Sequence, residues 1–321
     1  MIANNVKHQH QRGVRTFTIL ALLTAILTVG LIIFGAVVRV TDSGLGCGSS
    51  WPLCDGHVLP PLDNVTAWIE WLHRLFAALI GLFGLATLFV AWRSYRQSDG
   101  RVFWLTVAAA VLFVVQSLLG AIVVIFELPP TFVTLHLGTA MLLLGSLLAA
   151  AVVAWYRPHL QGRSDNVRSL AYLNAVFSLV IILTGALVRG SGATLACTEW
   201  PLCFDNVLLP VDAGQLAVIH MIHRFAVAAL GLSLLILVWQ VIRQRRDSLV
   251  RGLAVGAFVA YLAQAGVGAM YVISVAGPGW GAAHVGLASL TWALLVALCM
   301  IESLEASSED VNKQLEPQWQ S

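Results

Sequence analysis

Five histidines lie inside apolar stretches of the chain: His73, His136, His220, His223 and His284. An imidazole placed in a hydrocarbon environment is costly, so such residues mark a functional site before they mark anything else. The other four, His8, His10, His57 and His159, fall in polar segments and read as solvated. Two imidazoles at one depth on neighbouring helices form a pair of opposed neutral nitrogen donors. The cofactor suited to that pair is haem, whose iron takes axial nitrogen ligands and whose flat macrocycle fills the space between helices. Zinc fits less well, because it wants four ligands in a closed tetrahedron.

The histidines do not stand alone. One turn before His73 is Glu70, and one turn before His223 is His220. Residues three apart share a helix face, so Glu70 and His220 each neighbour a candidate ligand. A carboxyl group there can carry protons or stabilise positive charge, whereas an imidazole adds no anion. This difference predicts that the first half of the chain performs chemistry and that the second half holds a permanent electron carrier. Arg39, Arg74, Arg189 and Arg224 lie near the same depth and are candidate bidentate partners for haem propionates.

Positioning these residues requires long helices. The chain has 321 residues, 59% apolar and 11% charged, against about 25% charged in an average soluble protein. No soluble fold has interior enough for that apolar excess. A bilayer core needs about 20 apolar residues per helix. Eight blocks meet that length: Thr16 to Val38, Trp68 to Trp92, Val102 to Phe126, Thr131 to Tyr156, Leu170 to Val188, Leu216 to Ile242, Leu253 to Val275 and Ala282 to Ile301. The first follows Lys7, Arg12 and Arg15, is too long for a signal-peptide core and reads as a retained anchor. The expected fold is an all-α integral membrane protein. A net charge of +2 with scattered basic residues excludes a nucleic-acid partner.

Basic residues occupy alternate connections, around Arg93 to Arg101, Arg157 to Arg168 and Arg243 to Arg251. The positive-inside rule therefore puts both termini in the cytoplasm and the connections 39–67 and 189–215 outside, in a cell membrane. Residues 1–15 are expected as a cytoplasmic tail, 157–168 as a cytoplasmic linker, and the acidic stretch 302–321 as a disordered tail.

The halves repeat. Gly35-Ala-Val-Val-Arg39 returns as Gly185-Ala-Leu-Val-Arg189, Trp51-Pro-Leu-Cys54 as Trp200-Pro-Leu-Cys203, and His73-Arg74 as His223-Arg224. Gln116-x-x-x-Gly120 and His136 match Gln264-x-x-x-Gly268 and His284, at an offset of 148 to 150 residues. The expectation is two pseudo-symmetric four-helix bundles, 16–156 and 169–301, related by an axis along the membrane normal. Gln116 and Gln264, each with a glycine four residues on, read as close helix packing. Helices two, four, six and eight run inward, and their histidines lie five to seven residues below the outer start, about 7 to 11 Å deep.

Cys47 and Cys54 share one outer connection and Cys197 and Cys203 the other, while Cys299 lies within the last span and reads as inert core. An oxidising exterior makes the four loop cysteines disulfide candidates. Three pairings exist, of which proximity favours Cys47 with Cys54 and Cys197 with Cys203. A structural staple and a redox-active pair near the first site are both open.

Taken together, Glu70-x-x-His73, His136, His220-x-x-His223, His284 and the two cysteine pairs make this chain resemble haem A synthase, of the bacterial type with cysteines in both outer loops. The resemblance implies oxidation of the C8 methyl group of haem O to the formyl group of haem A, through successive hydroxylations and loss of water. It implies that His73 and His136 bracket the substrate haem, with Glu70 as catalytic carboxylate. His223 and His284 would ligate a resident haem b. The first cysteine pair would serve turnover or haem reception, and the second would be a disulfide. Implied partners are haem O synthase, a ferredoxin-like or quinol electron donor, and terminal oxidase assembly. From the residues alone, a di-haem cytochrome b acting on quinol and a haem transporter are rival readings. Ligands near both membrane faces would favour the first, and broken helices at the midplane the second.

Overall fold

The computed structural model describes residues 2–158, 166–204 and 207–315, and side chains within 13–158, 166–204 and 207–307. Eight long helices follow one another: α1 Ile2–Val40, α2 Val65–Tyr95, α3 Gly100–Ile125, α4 Pro130–Trp155, α5 Val167–Gly190, α6 Gln215–Gln244, α7 Ser248–Ile273 and α8 Pro278–Leu315. All eight are long and apolar enough to cross a membrane. The chain is a multi-pass membrane protein.

The helix starts are written in the sequence. Asn64 caps α2 by accepting a hydrogen bond from the Ala67 amide at 3.0 Å. Asp99 caps α3 through Arg101 N at 3.1 Å, and Asp247 caps α7 through Leu249 N at 2.8 Å. Each side-chain oxygen satisfies an amide that has no partner inside the helix. Pro130 and Pro278 open α4 and α8, where a missing N–H costs nothing. Both α3 and α7 end in two successive left-handed residues, Glu127 and Leu128 in one case, Val275 and Ala276 in the other.

In the first half α1 packs on α2 and α4, and α3 on the same two; in the second half α5 and α7 each pack on α6 and α8. The halves join through α1 with α8, α4 with α5, and α4 with α8. Helix α4 is the most enclosed, with 67% of its apolar window buried, against 17% for α2. Its run of Ala149, Ala150, Ala151 and Ala154 lets neighbouring backbones approach closely. Trp292 of α8 donates its indole N–H to the Met141 carbonyl of α4 at 2.9 Å, a direct tie between halves.

Residues 1–15, expected as a cytoplasmic tail, are helical from Ile2 and continuous with the first span. One boundary expectation needs correction. The stretch from 302 was expected to be solvated and disordered, but α8 continues to Leu315 and Glu302 and Glu305 are buried. Their charges are matched by groups at the ends of other helices. Arg245 meets Glu302 at 2.5 Å, and the Tyr156 hydroxyl donates to Glu305 at 2.6 Å. A carboxylate whose partner arrives from a distant helix looks solvated in the sequence. The linker expected at 157–168 lies partly outside the described residues, as do His159 and the last six positions; α5 starts at Val167.

Candidate functional site

The four ligand candidates stand on α2, α4, α6 and α8, all toward the end of the molecule that carries the connections 41–64 and 191–214. His73 and His136 lie within electrostatic reach of each other, and so do His223 and His284. The two histidines of each expected pair thus stand in the same half of the fold. Among the described residues no three of His, Cys, Asp and Glu converge as a tetrahedral metal site requires.

Each ring rests against a glycine. A methyl group on Gly35 would lie 3.1 Å from His73 Cε1, and one on Gly120 would lie 3.2 Å from His136 Cε1. In the second half the corresponding distances are 3.2 Å from Gly185 to His223 and 3.0 Å from Gly268 to His284. Four histidines thus occupy four notches that any side chain would fill. The signal was present in the sequence, since these glycines open or close the repeated motifs, but one-dimensional spacing does not say which ring sits on which helix. Phe34 borders the first pair, its ring 5.8 Å from that of His73. A narrow cavity lined by Ser178, Ile181, Val227, Leu230, Tyr261 and His284 opens beside the second.

The cysteines pair as proximity suggested: Cys47 with Cys54 and Cys197 with Cys203. All four are essentially inaccessible to solvent, and Cys299 is free and buried. Beneath the first disulfide, Glu70 is buried on α2. Its Oε2 accepts the Cys47 amide hydrogen at 2.8 Å, and its Oε1 forms an ion pair with Arg74. His220, at the matching position of α6, is also buried, with the Ala193 backbone beside its ring.

The arginines divide into two kinds. Arg74 Nη1 donates to the carbonyls of Ser50, Pro52 and Leu53 at 3.0 to 3.2 Å. Arg224 Nη1 donates to Glu199, Pro201 and Leu202, and its Nη2 to Cys197, at 2.7 to 3.2 Å. Both guanidinium groups are clamps for the cysteine loops, a role that sequence could not reveal because backbone carbonyls carry no signature. Arg39 and Arg189 stand at the ends of α1 and α5. Arg189 Nη2 reaches the Arg39 carbonyl and Asp42, both at 3.4 Å, and the Nε of each arginine is buried without a partner.

Eight membrane-spanning helices with a histidine pair and a disulfide loop in each half define a class: polytopic membrane proteins with a histidine-bearing site near one end. The chain belongs to the COX15-CtaA family, described as cytochrome oxidase assembly protein, whose model matches residues 18–296. It is 33% identical to the Heme A synthase of Symbiobacterium thermophilum over 84% of this chain and 90% of that protein. It is 32% identical to the Heme A synthase of Shouchella clausii over 88% of this chain and 95% of that protein, and 34% identical to that of Geobacillus kaustophilus over 68% and 69%.

Proposed function

We propose that this protein is an oxidoreductase that converts haem O to haem A for oxidase assembly, and that its two halves are four-helix bundles with divided roles. The observation that carries the reading is the pair of glycine-notched imidazole pairs, with buried Glu70 beside the first and buried His220 beside the second. The notches fit the group: they let each ring approach a neighbouring backbone and leave it a nitrogen to offer iron.

His73 and His136 hold the substrate haem O, and His223 and His284 hold haem b, which supplies a store of electrons when bound. Glu70 is the acid–base group on the His73 face, placed to accept the protons that leave as the methyl carbon is oxidised. Its hold on Cys47 N also fixes the first cysteine loop above the site. Arg39 and Arg189 pair with propionates, and Arg74 and Arg224 set the loops that cover them. Haem O synthase upstream, a quinol or ferredoxin-like donor, and a cell-membrane location with the cysteine loops outside complete the reading.

The test is conversion. Purified protein supplied with haem O, a reductant and air should yield a formyl-bearing haem, identified by its mass and its red-shifted absorbance. Glu70→Gln should retain the second-half haem spectrum and lose product. Pigment recovered unaltered from the wild-type protein defeats the assignment.

A further inference from the structure

The two imidazole pairs differ in what holds their outer nitrogens. His223 Nδ1 lies 3.0 Å from Thr184 Oγ1, and that hydroxyl already donates to the Ile181 carbonyl at 2.8 Å. The hydroxyl therefore accepts, and Nδ1 carries the proton. His284 Nδ1 lies 3.0 Å from the Gln264 carbonyl, which can only accept, so this ring has the same tautomer. Both second-half rings present a bare Nε2 lone pair and are anchored from behind. That is the arrangement that orients a metal-binding histidine and raises its basicity.

His73 lacks it: its Nδ1 is buried without a partner, whereas the His136 ring has the Gln116 backbone beside it, as His284 has that of Gln264. The repeat position of Thr184 is Phe34, which offers an aromatic edge and no acceptor. His136 Nε2 lies 3.1 Å from Gln116 Nε2, and the amide, as donor, occupies the lone pair that iron would need. Gln264, the repeat counterpart of Gln116, meets His284 through its backbone carbonyl, a contact that puts no side-chain amide on the ring.

We propose that Phe34 and Gln116, against Thr184 and Gln264, make the first histidine pair an exchangeable haem site and the second a retentive one. Gln116 is a positioning residue that competes with iron for His136, so product haem is displaced as the amide returns. Thr184 is a positioning residue that keeps His223 ligated. This inference rests on the haem reading given above and adds what separates a site that must turn over its haem from one that must keep it.

The experiment follows haem release from the full-length protein loaded with ferric haem b, using excess apomyoglobin as scavenger and the optical spectrum to separate two phases. The wild type should show a fast phase and a slow one. Thr184→Val should speed the slow phase by about ten- to a hundredfold, in the range for loss of a hydrogen bond behind a metal ligand. Thr184→Ser, which restores the acceptor, should return it. The midpoint potential of the retained haem should rise in Thr184→Val, since the ring loses imidazolate character, and recover in Thr184→Ser; a merely structural threonine would not move it that way. Phe34→Thr or Gln116→Leu should slow the fast phase. Wild-type protein that takes up no haem overturns the parent reading and this one with it. Two haems in the wild type whose release rates and potentials ignore all four substitutions overturn this inference alone.

Discussion

His284 and Gly268 meet so closely that a methyl group on the glycine would lie 3.0 Å from the ring's Cε1. The glycine is in α7 and the histidine in α8, so the ring is seated by a neighbouring helix as well as by its own rotamer. The same relation holds at His73, His136 and His223. Overfilling such a notch costs about 1–3 kcal/mol, so Gly268→Ala should weaken second-site haem binding roughly tenfold to a hundredfold. Gly266→Ala, two residues away and facing open space, is the control. Titrating each variant with ferric haem b and counting haem per chain checks this; equal binding by both variants defeats it.

Glu70 joins two roles that one substitution can separate. Its carboxylate accepts the Cys47 amide and pairs with Arg74. Glu70→Ala leaves that buried amide without an acceptor, a loss of about 1–3 kcal/mol, and should lower the unfolding midpoint of detergent-solubilised protein. Glu70→Gln keeps an amide oxygen for Cys47 while giving up the charge opposite Arg74, and should fall between Glu70→Ala and wild type in stability. If the two variants unfold together, the loop contact contributes nothing.

How far these features were readable in the sequence depends on their range along the chain. Span number and the histidine pairing follow from helix length and from a repeat that holds register, both one-dimensional signals. The caps at Asn64, Asp99 and Asp247 are equally local. Gly35 and Gly120 stood in quoted motifs, yet their use as seats for His73 and His136 needed the helix neighbours. Arg74 and Arg224 were expected at propionates, but a guanidinium cannot be told in advance from one that serves loop carbonyls. Glu302 and Glu305 misled for a related reason: an acidic, polar C-terminal stretch resembles a tail until Arg245 and Tyr156 are found beside it.

Arg224 illustrates why arginine and lysine are not equivalent. Its two terminal nitrogens reach four carbonyls of the second cysteine loop at once. A lysine ammonium has three donors on a single atom and cannot span them. Arg224→Lys should therefore raise amide hydrogen exchange across residues 197–203 by about tenfold, while the helical amides of α7 keep their protection. Unchanged exchange in the loop would show that the disulfide alone holds it.

The Arg245–Glu302 pair gives the sharpest stability forecast, because both side chains are only 2% exposed and meet at 2.5 Å. Removing one member of a buried ion pair costs about 3–5 kcal/mol, since the remaining charge loses its counterpart in a low-dielectric setting. Glu302→Ala should thus lower the thermal midpoint markedly. Replacing both by apolar residues of similar volume, Arg245→Met with Glu302→Leu, removes the desolvation penalty along with the attraction and should recover most of the loss. The contrast between single and double variants distinguishes burial from exposure. Were these groups at a solvated helix end, the single change would be worth less than about 1 kcal/mol and the second would have nothing to restore.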